Sequence, residues 1–300
     1  MDFLQWVTSL LALVMGTLGL ESNQAKIPQP EFSNTIVEER LTDPPAVSQS
    51  TSDTPVKPAT GVSERSATVA QKNPTFGTEE VRDEPPKLKN IGFNLDYYDP
   101  TTNRAGDFYF TKELAAVLSG DPIYQKLIWS DYGIQDNRSP DDPTKRNVQP
   151  TFRLPLGTKV LAPIDGVVTK VDILYSNDYT IWIAKNTKSG WSYEMEHVIK
   201  PVVKVGDTVT AGQVMAEVST HGSEHHPGFG IVEIGLFHQL NNEPAHWCPF
   251  VHLDESIKDE MNKKILALYS AWETYIGDDS VYNNASYPVP GCATLEPSRG

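Results

Sequence analysis

Histidine and carboxylate chemistry is concentrated in the second half of this 300-residue chain. The segment His221-Gly-Ser-Glu-His225-His226 carries three imidazoles within six residues. Neutral imidazole nitrogens grouped in this way can ligate a transition metal. A solvated polar loop would have the same composition, so both readings stand. Upstream, Tyr193-Glu-Met-Glu196-His197 places a phenol, two carboxylates and an imidazole in one strand-like run. Downstream, Phe229-Gly-Ile231-Val-Glu233-Ile reads as a strand whose period of two turns Phe229, Ile231 and Glu233 to one side. Glu196, His197 and Glu233 could form a polar corner of a groove, and a strand-edge ion pair or hydrogen bond would use the same residues. Trp182, Trp191 and Tyr193 could line that groove for a sugar or peptide, or pack as cross-strand pairs.

The elements that must position these groups are mostly strands. From Phe152 onward, GTKVLAPIDGVVTKVDIL, DYTIWIAKN, GWSYEMEHVI, TVTAGQVMAEV and GIVEIGLFH are short β-branched or aromatic runs separated by turn residues. NTKSG and VGDTVTAGQ carry hairpin signals. Before them, FNLDYYDPTTNRAGDFYFTKE predicts two aromatic strands around a DPTTNRAG turn, and KELAAVLSG a short helix ended by Gly120. Near the end, Ile257, Met261, Ile265, Leu268, Trp272 and Ile276 recur at spacings of three and four. They predict an amphipathic packing helix capped by Asp254 and ended by Gly277.

Phe3 to Leu20 is an apolar run, expected to be a signal or membrane anchor. Residues 21–86 are rich in Pro, Ser, Thr, Gln and Glu. Such a composition buries too little apolar surface to offset chain entropy, and predicts a disordered spacer. The chain therefore divides into 1–20 anchor, 21–86 spacer, 87–146 hairpin and helical subdomain, 147–253 β core, and 254–300 helix and tail. A net charge of −14 argues against nucleic acid as a partner, because a phosphate backbone is held by clustered Lys and Arg. Two cysteines, Cys248 and Cys292, read either as one bridge in an oxidising compartment or as two buried thiols.

LPLGTKVLAPIDGVVTKV and VKVGDTVTAGQVMAEV each put a Gly-Thr or Gly-Asp turn before β-branched strands. Biotinyl and lipoyl carrier modules share this pattern, but they join the two stretches almost directly and place a lysine at a Met-Lys-Met-like turn. Here TIWIAKNTKSGWSYEMEHVIKP intervenes and there is no such lysine. In this order of parts the chain resembles the lysostaphin/LytM-type zinc peptidoglycan endopeptidases over about Asn147 to Leu236. The resemblance implies a mainly β fold: an antiparallel sheet core (the duplicated hybrid motif) with a groove on one face, followed here by the C-terminal amphipathic helix.

The same resemblance implies the places of the zinc ligands, and there this chain departs from the family. The His and Asp before the first Gly-Thr fall on Asn147 and Thr151. The strand His-Leu-His falls on Phe229 and Ile231, of which Ile231 takes the ligand place. Only His197 keeps the family's residue, that of the histidine assisting the water or the oxyanion. Asp131 or Asp136 could supply a carboxylate if the loop were rearranged, and His221, His225 and His226 are the nearby candidates for a rebuilt site. The expectation is an extracytoplasmic, secreted or membrane-anchored domain that binds peptidoglycan or a cell-envelope protein, has lost hydrolysis and uses no cofactor. An active endopeptidase with a rebuilt zinc site and a non-enzymatic carrier-like hairpin module are the alternatives.

Overall fold

The computed structural model describes residues 83–298, apart from 121, 123–124, 137, 139–140 and 241–242. The expected anchor at 1–20 and most of the expected spacer lie outside the described residues. Among the described residues, no helix is long and apolar enough to cross a membrane.

The first strands among the described residues form a small hairpin, β1 (Arg104–Ala105) and β2 (Phe108–Tyr109), followed by helix α1 (Lys112–Gly120). Ten strands then build the core: β3 (Trp129–Ser130), β4 (Thr151–Pro155), β5 (Lys159–Leu161), β6 (Gly166–Ile173), β7 (Tyr179–Ala184), β8 (Trp191–Ile199), β9 (Thr208–Val209), β10 (Val214–Val218), β11 (Phe229–Leu240) and β12 (Glu243–Trp247). A long helix, α2 (Lys258–Ile276), closes the fold. The sheet runs β3-β4-β11-β8-β7-β6-β9, with β12 on β11, and β10 paired to β5 and to the end of β8. Every pairing in it is antiparallel.

The alternation of residue types explains which face is which. Phe152 and Leu154 on β4, Tyr193 and Met195 on β8, and Val232, Ile234 and Leu236 on β11 are all buried in the hydrophobic core. Residues between them, Thr151, Arg153, Glu194, Glu196, Ile231 and Glu233, belong to the opposite, polar face. An aromatic cluster fills the core: Phe93 meets Phe152 at 4.5 Å, Trp129 meets Phe152 at 4.6 Å, and Trp129 meets Tyr269 of α2 at 5.9 Å. Ring pairs of this kind add about 0.5–1.5 kcal/mol each beyond the area they bury. Through Ile265, Leu268, Tyr269 and Trp272, α2 fastens the sheet from behind.

Four local expectations need correction. The DPTTNRAG segment is two turns rather than one. Asp99 accepts hydrogen bonds from the amide and hydroxyl of Thr101, while β1 and β2 reverse at Gly106-Asp107. Gly106 has φ +64°, and a Cβ there would meet the Asn94 carbonyl at 2.4 Å, so only glycine fits. Asp254 does not cap α2. Its carboxylate accepts from the Ser256 amide, its carbonyl from Ile257 and Lys258, and the helix begins one turn later. Next, the spacer boundary at 86 falls too late. Asp83 accepts from Ser189 Oγ and the Gly190 amide, Trp191 Nε1 donates to the Asp83 carbonyl at 2.8 Å, and Pro86 is buried. Finally, Tyr193 is not a groove residue. It is fully buried on the core face, and its hydroxyl donates to the Pro86 carbonyl at 3.1 Å.

Candidate functional site

The polar face of the sheet gathers carboxylates. Antiparallel register sets Glu196 directly opposite Glu233 and Glu194 opposite Gly235. Gly235 leaves space for Gln149, whose Nε2 would lie 3.0 Å from a Cβ at that position. Gln149 Nε2 donates to Glu194 Oε2 at 3.0 Å, and Thr180 Oγ1 and Trp182 Nε1 donate to Glu194 Oε1. Three donors thus occupy both oxygens of Glu194. Glu196 has the opposite environment. Burial, together with the charges of Glu194 and Glu233, pushes its carboxyl up to about 9, so at neutral pH it holds a proton.

His197 reaches this face through a bulge. Pairing of β7 with β8 passes from Tyr179↔Val198 to Ile181↔Met195, so Glu196 and His197 together oppose Thr180. His197 takes φ +57°, an uncommon conformation for a residue other than glycine. Strict alternation would send neighbours 196 and 197 to opposite faces. The bulge instead re-aims His197 to the side of Glu196 and Glu233. Ligand atoms of these three side chains lie within 4.8 Å of one another.

Behind His197 stands Asp178, in the turn leading into β7. Asp178 Oδ2 lies 3.0 Å from His197 Nδ1, and Ser176 Oγ lies 3.4 Å from the same nitrogen. Burial would raise the Asp178 carboxyl, but hydrogen bonds from His197, Ser176 and Ser219 outweigh it and hold it at about 2. On the other side of His197, the ring of His221 stacks at 4.0 Å. Tyr175, 85% exposed, presents its ring edge-on to both, at 6.4 and 6.3 Å.

The three places that the resemblance assigns to zinc are together in space. Asn147, Thr151 and Ile231 line one cleft of about 270 Å³, beside Arg153, Arg138 and Glu233. None of the three fits the metal. Asn147 Nδ2 donates to the carbonyl of Asp131 at 3.0 Å, and the Thr151 hydroxyl lies 3.0 Å from Glu233 Oε1 as donor. Ile231 offers only hydrocarbon, packed close to Gly222. Zinc requires imidazole, thiolate or carboxylate donors, and the cleft supplies none at these places.

The substitute ligands weighed from sequence fare no better at those places. Asp131 is buried against α2 as acceptor of the Tyr269 hydroxyl, and burial raises its carboxyl to about 7. Asp136 lines the cleft but is engaged by Arg138 at 2.9 Å. The loop histidines point apart: His221 stacks on His197, His226 Nδ1 lies 3.0 Å from the Gly222 carbonyl, and His225 is exposed beside Glu224. Sequence reasoning did not single out Asp178, Glu194, Gln149 or Tyr175. The strand-like DYTIWIAKN segment begins at Asp178, but only the pairing of β7 with β8 brings that residue to His197.

Residues 150–235 match the model of Peptidase family M23. No curated protein sequence matches the chain. Among solved structures, the catalytic domain of the prophage-encoded M23 protein EnpA from Enterococcus faecalis is similar, at 24% identity over 40% of this chain and 85% of that one, with a TM-score of 0.32. LytU is similar at 25% identity, over 38% and 74% of the two chains, with a TM-score of 0.31. Lysostaphin in solution shares 19% identity over 37% of this chain, which spans 43% of lysostaphin's own length, with a TM-score of 0.30. Over residues 150–235, its antiparallel core is thus similar to Peptidase family M23.

Proposed function

We propose that this is a catalytically silent M23 domain, extracytoplasmic and either secreted or held by its N-terminal segment, that binds peptidoglycan or positions a cell-envelope enzyme. One observation carries the reading. Asn147, Thr151 and Ile231 stand where the resemblance puts the zinc ligands, and each is engaged within the protein by a hydrogen bond or by packing. A water bound to zinc becomes a nucleophile near neutral pH only when the metal is held in an open site by about three protein ligands. The cleft remains suited to recognition, since it combines the cationic Arg138 and Arg153 with Glu233 and amide and hydroxyl groups.

Sedimentation with purified sacculi and amine release from the same sacculi test this together. The expected result is co-sedimentation of the chain without new amines, even with zinc added. Failure to bind sacculi while capturing an envelope hydrolase would favour the positioning role. A second reading, an active metal-dependent endopeptidase with a rebuilt site, draws on the proximity of Glu196, His197 and Glu233. Chelator-sensitive amine release, abolished by His197→Ala, would establish it and overturn the silent reading.

A further inference from the structure

We propose that Glu196, His197 and Glu233 form a divalent transition-metal site of their own, displaced from the places where the resemblance puts zinc. The ligand places of the resemblance are residue 147, strand β4 and Ile231. The new trio lies across β8 and β11, on the facing pair Glu196↔Glu233 and the bulge beside it. One imidazole with two carboxylates is a donor set suited to Zn²⁺ or Mn²⁺.

Three independent features support this assignment. The ligand atoms already lie within 4.8 Å of one another, whereas tetrahedral ligands at ~2.0 Å from zinc stand ~3.3 Å apart. Closing that gap asks for a modest rotation of the partly exposed Glu196 side chain. Second, His197 is 5% exposed, and its Nδ1 is committed to Asp178, while Nε2 has no hydrogen-bond partner among the described residues. A carboxylate behind an imidazole is the arrangement that orients metal-binding histidines and raises their basicity. Third, the two carboxyl groups stand directly opposite on neighbouring strands, and Glu194 adds to the crowding. A cation shared between them relieves that crowding. Thr151 uses only Oε1 of Glu233, which leaves Oε2 for the metal. The opposing charges on this side are Arg138, which is itself paired with Asp136, and Arg153.

The site does not depend on whether the domain hydrolyses anything, so its test is a binding measurement. The full chain, stripped with chelator, is titrated with ZnCl₂ by calorimetry and with CoCl₂ by visible absorption. The expected result is one cation per chain, with E196Q and E233Q each weakening binding at least about tenfold. D178N keeps all three ligands and should weaken binding by about 10–100-fold, as outer-shell substitutions do. Zinc should raise the melting temperature of the wild type but not of E196Q or E233Q, whose metal-free melting reports that they remain folded. Absence of saturable binding, binding unchanged by E196Q and E233Q, or binding lost in H225A/H226A would each overturn the proposal. Amine release in the same samples bears on the silent-domain reading alone.

Discussion

Asp178 and His197 form a buried acid–imidazole pair, 3.0 Å apart, that ties the β6–β7 turn to the bulge of β8. The bulge gives His197 its positive φ, and Asp178 is what holds the ring once it is there. Strain of this kind persists only where surrounding contacts fix it.

The pair makes stability sensitive to acid. The Asp178 carboxyl is held at about 2, below its ordinary 3.8, so its contribution is present above pH ~4 and is lost as pH falls toward 2. A lowering of that size is equivalent to roughly 2–3 kcal/mol of preference for the ionised form. D178N should therefore lower the denaturation midpoint at pH 7 and flatten the acid limb of the stability curve. Denaturant titrations at pH 7 and pH 3 check this. An unchanged acid limb would show that the carboxylate is not held by the ring.

Asp131 acts in the other direction. Burial raises its carboxyl to about 7, so the folded state keeps a proton that the unfolded chain has already lost. Stability from this group is complete below pH ~4 and declines as pH rises toward 7. The groups around it are the hydroxyls of Tyr269, Tyr282 and Tyr287, all raised by burial and neutral throughout this range. D131N should remove the slope between pH 4 and 7, while the decline from Glu196 continues to about 9. Melting temperatures at closely spaced pH values separate the two.

Much of this arrangement was legible in the sequence, for a physical reason. The alternation in Phe229-Gly-Ile231-Val-Glu233 fixes a face whatever lies around it, so Glu233 could be put beside Ile231 on the polar side. The stripe from Ile257 to Ile276 likewise predicts the buried face of α2. The reading of Tyr193 as a groove residue went the other way: it is buried on the core face, opposite Glu194 and Glu196. What the sequence could not convey is the bulge. Neighbours 196 and 197 share a face only because β8 carries an extra residue against β7, a property of the pairing and of neither strand alone. Asp178 stayed unnoticed for the same reason, since it is 19 residues from His197 and adjacent only through the sheet.

The N-terminal border of the folded core can be tested by truncation. A chain beginning at Asp83 keeps the acceptors for Ser189, Gly190 and Trp191, and Pro86 for Tyr193. A chain beginning at Lys87 leaves the buried Tyr193 hydroxyl without its acceptor, which costs about 1–3 kcal/mol. The shorter chain should melt lower, and Y193F should recover part of the loss. Equal melting of the two truncations would place the border at Lys87 after all.

Cys248 and Cys292 are joined, with Cα atoms 5.9 Å apart, and link the start of the 3₁₀ turn Pro249–His252 to the C-terminal tail. The loop between them spans 44 residues and contains α2. Cross-linking a loop of that length restricts the unfolded chain by up to ~4 kcal/mol. Mass mapping of unreduced peptides should recover the linked pair, and C292A should lower stability in non-reducing buffer. Equal stability with and without reductant would mean that packing around Phe250 and Gly291 suffices to hold the tail.

The last prediction concerns the lost ligands. If Asn147, Thr151 and Ile231 stand in the ligand places, then N147H/T151D/I231H should create a zinc site where the wild type has none. Asp at 151 would no longer donate to Glu233 and would face it across the β4–β11 pair, a repulsion that only a cation relieves. Without metal the triple variant should therefore melt below the wild type, and added zinc should reverse the loss. Binding at this site should survive E196Q, which separates it from the displaced site proposed above. Chelator-sensitive amine release from sacculi would follow if His197, still oriented by Asp178, can serve the rebuilt centre. A triple variant that gains no zinc affinity while remaining folded would mean that the register linking residue 147 to the first ligand place is wrong.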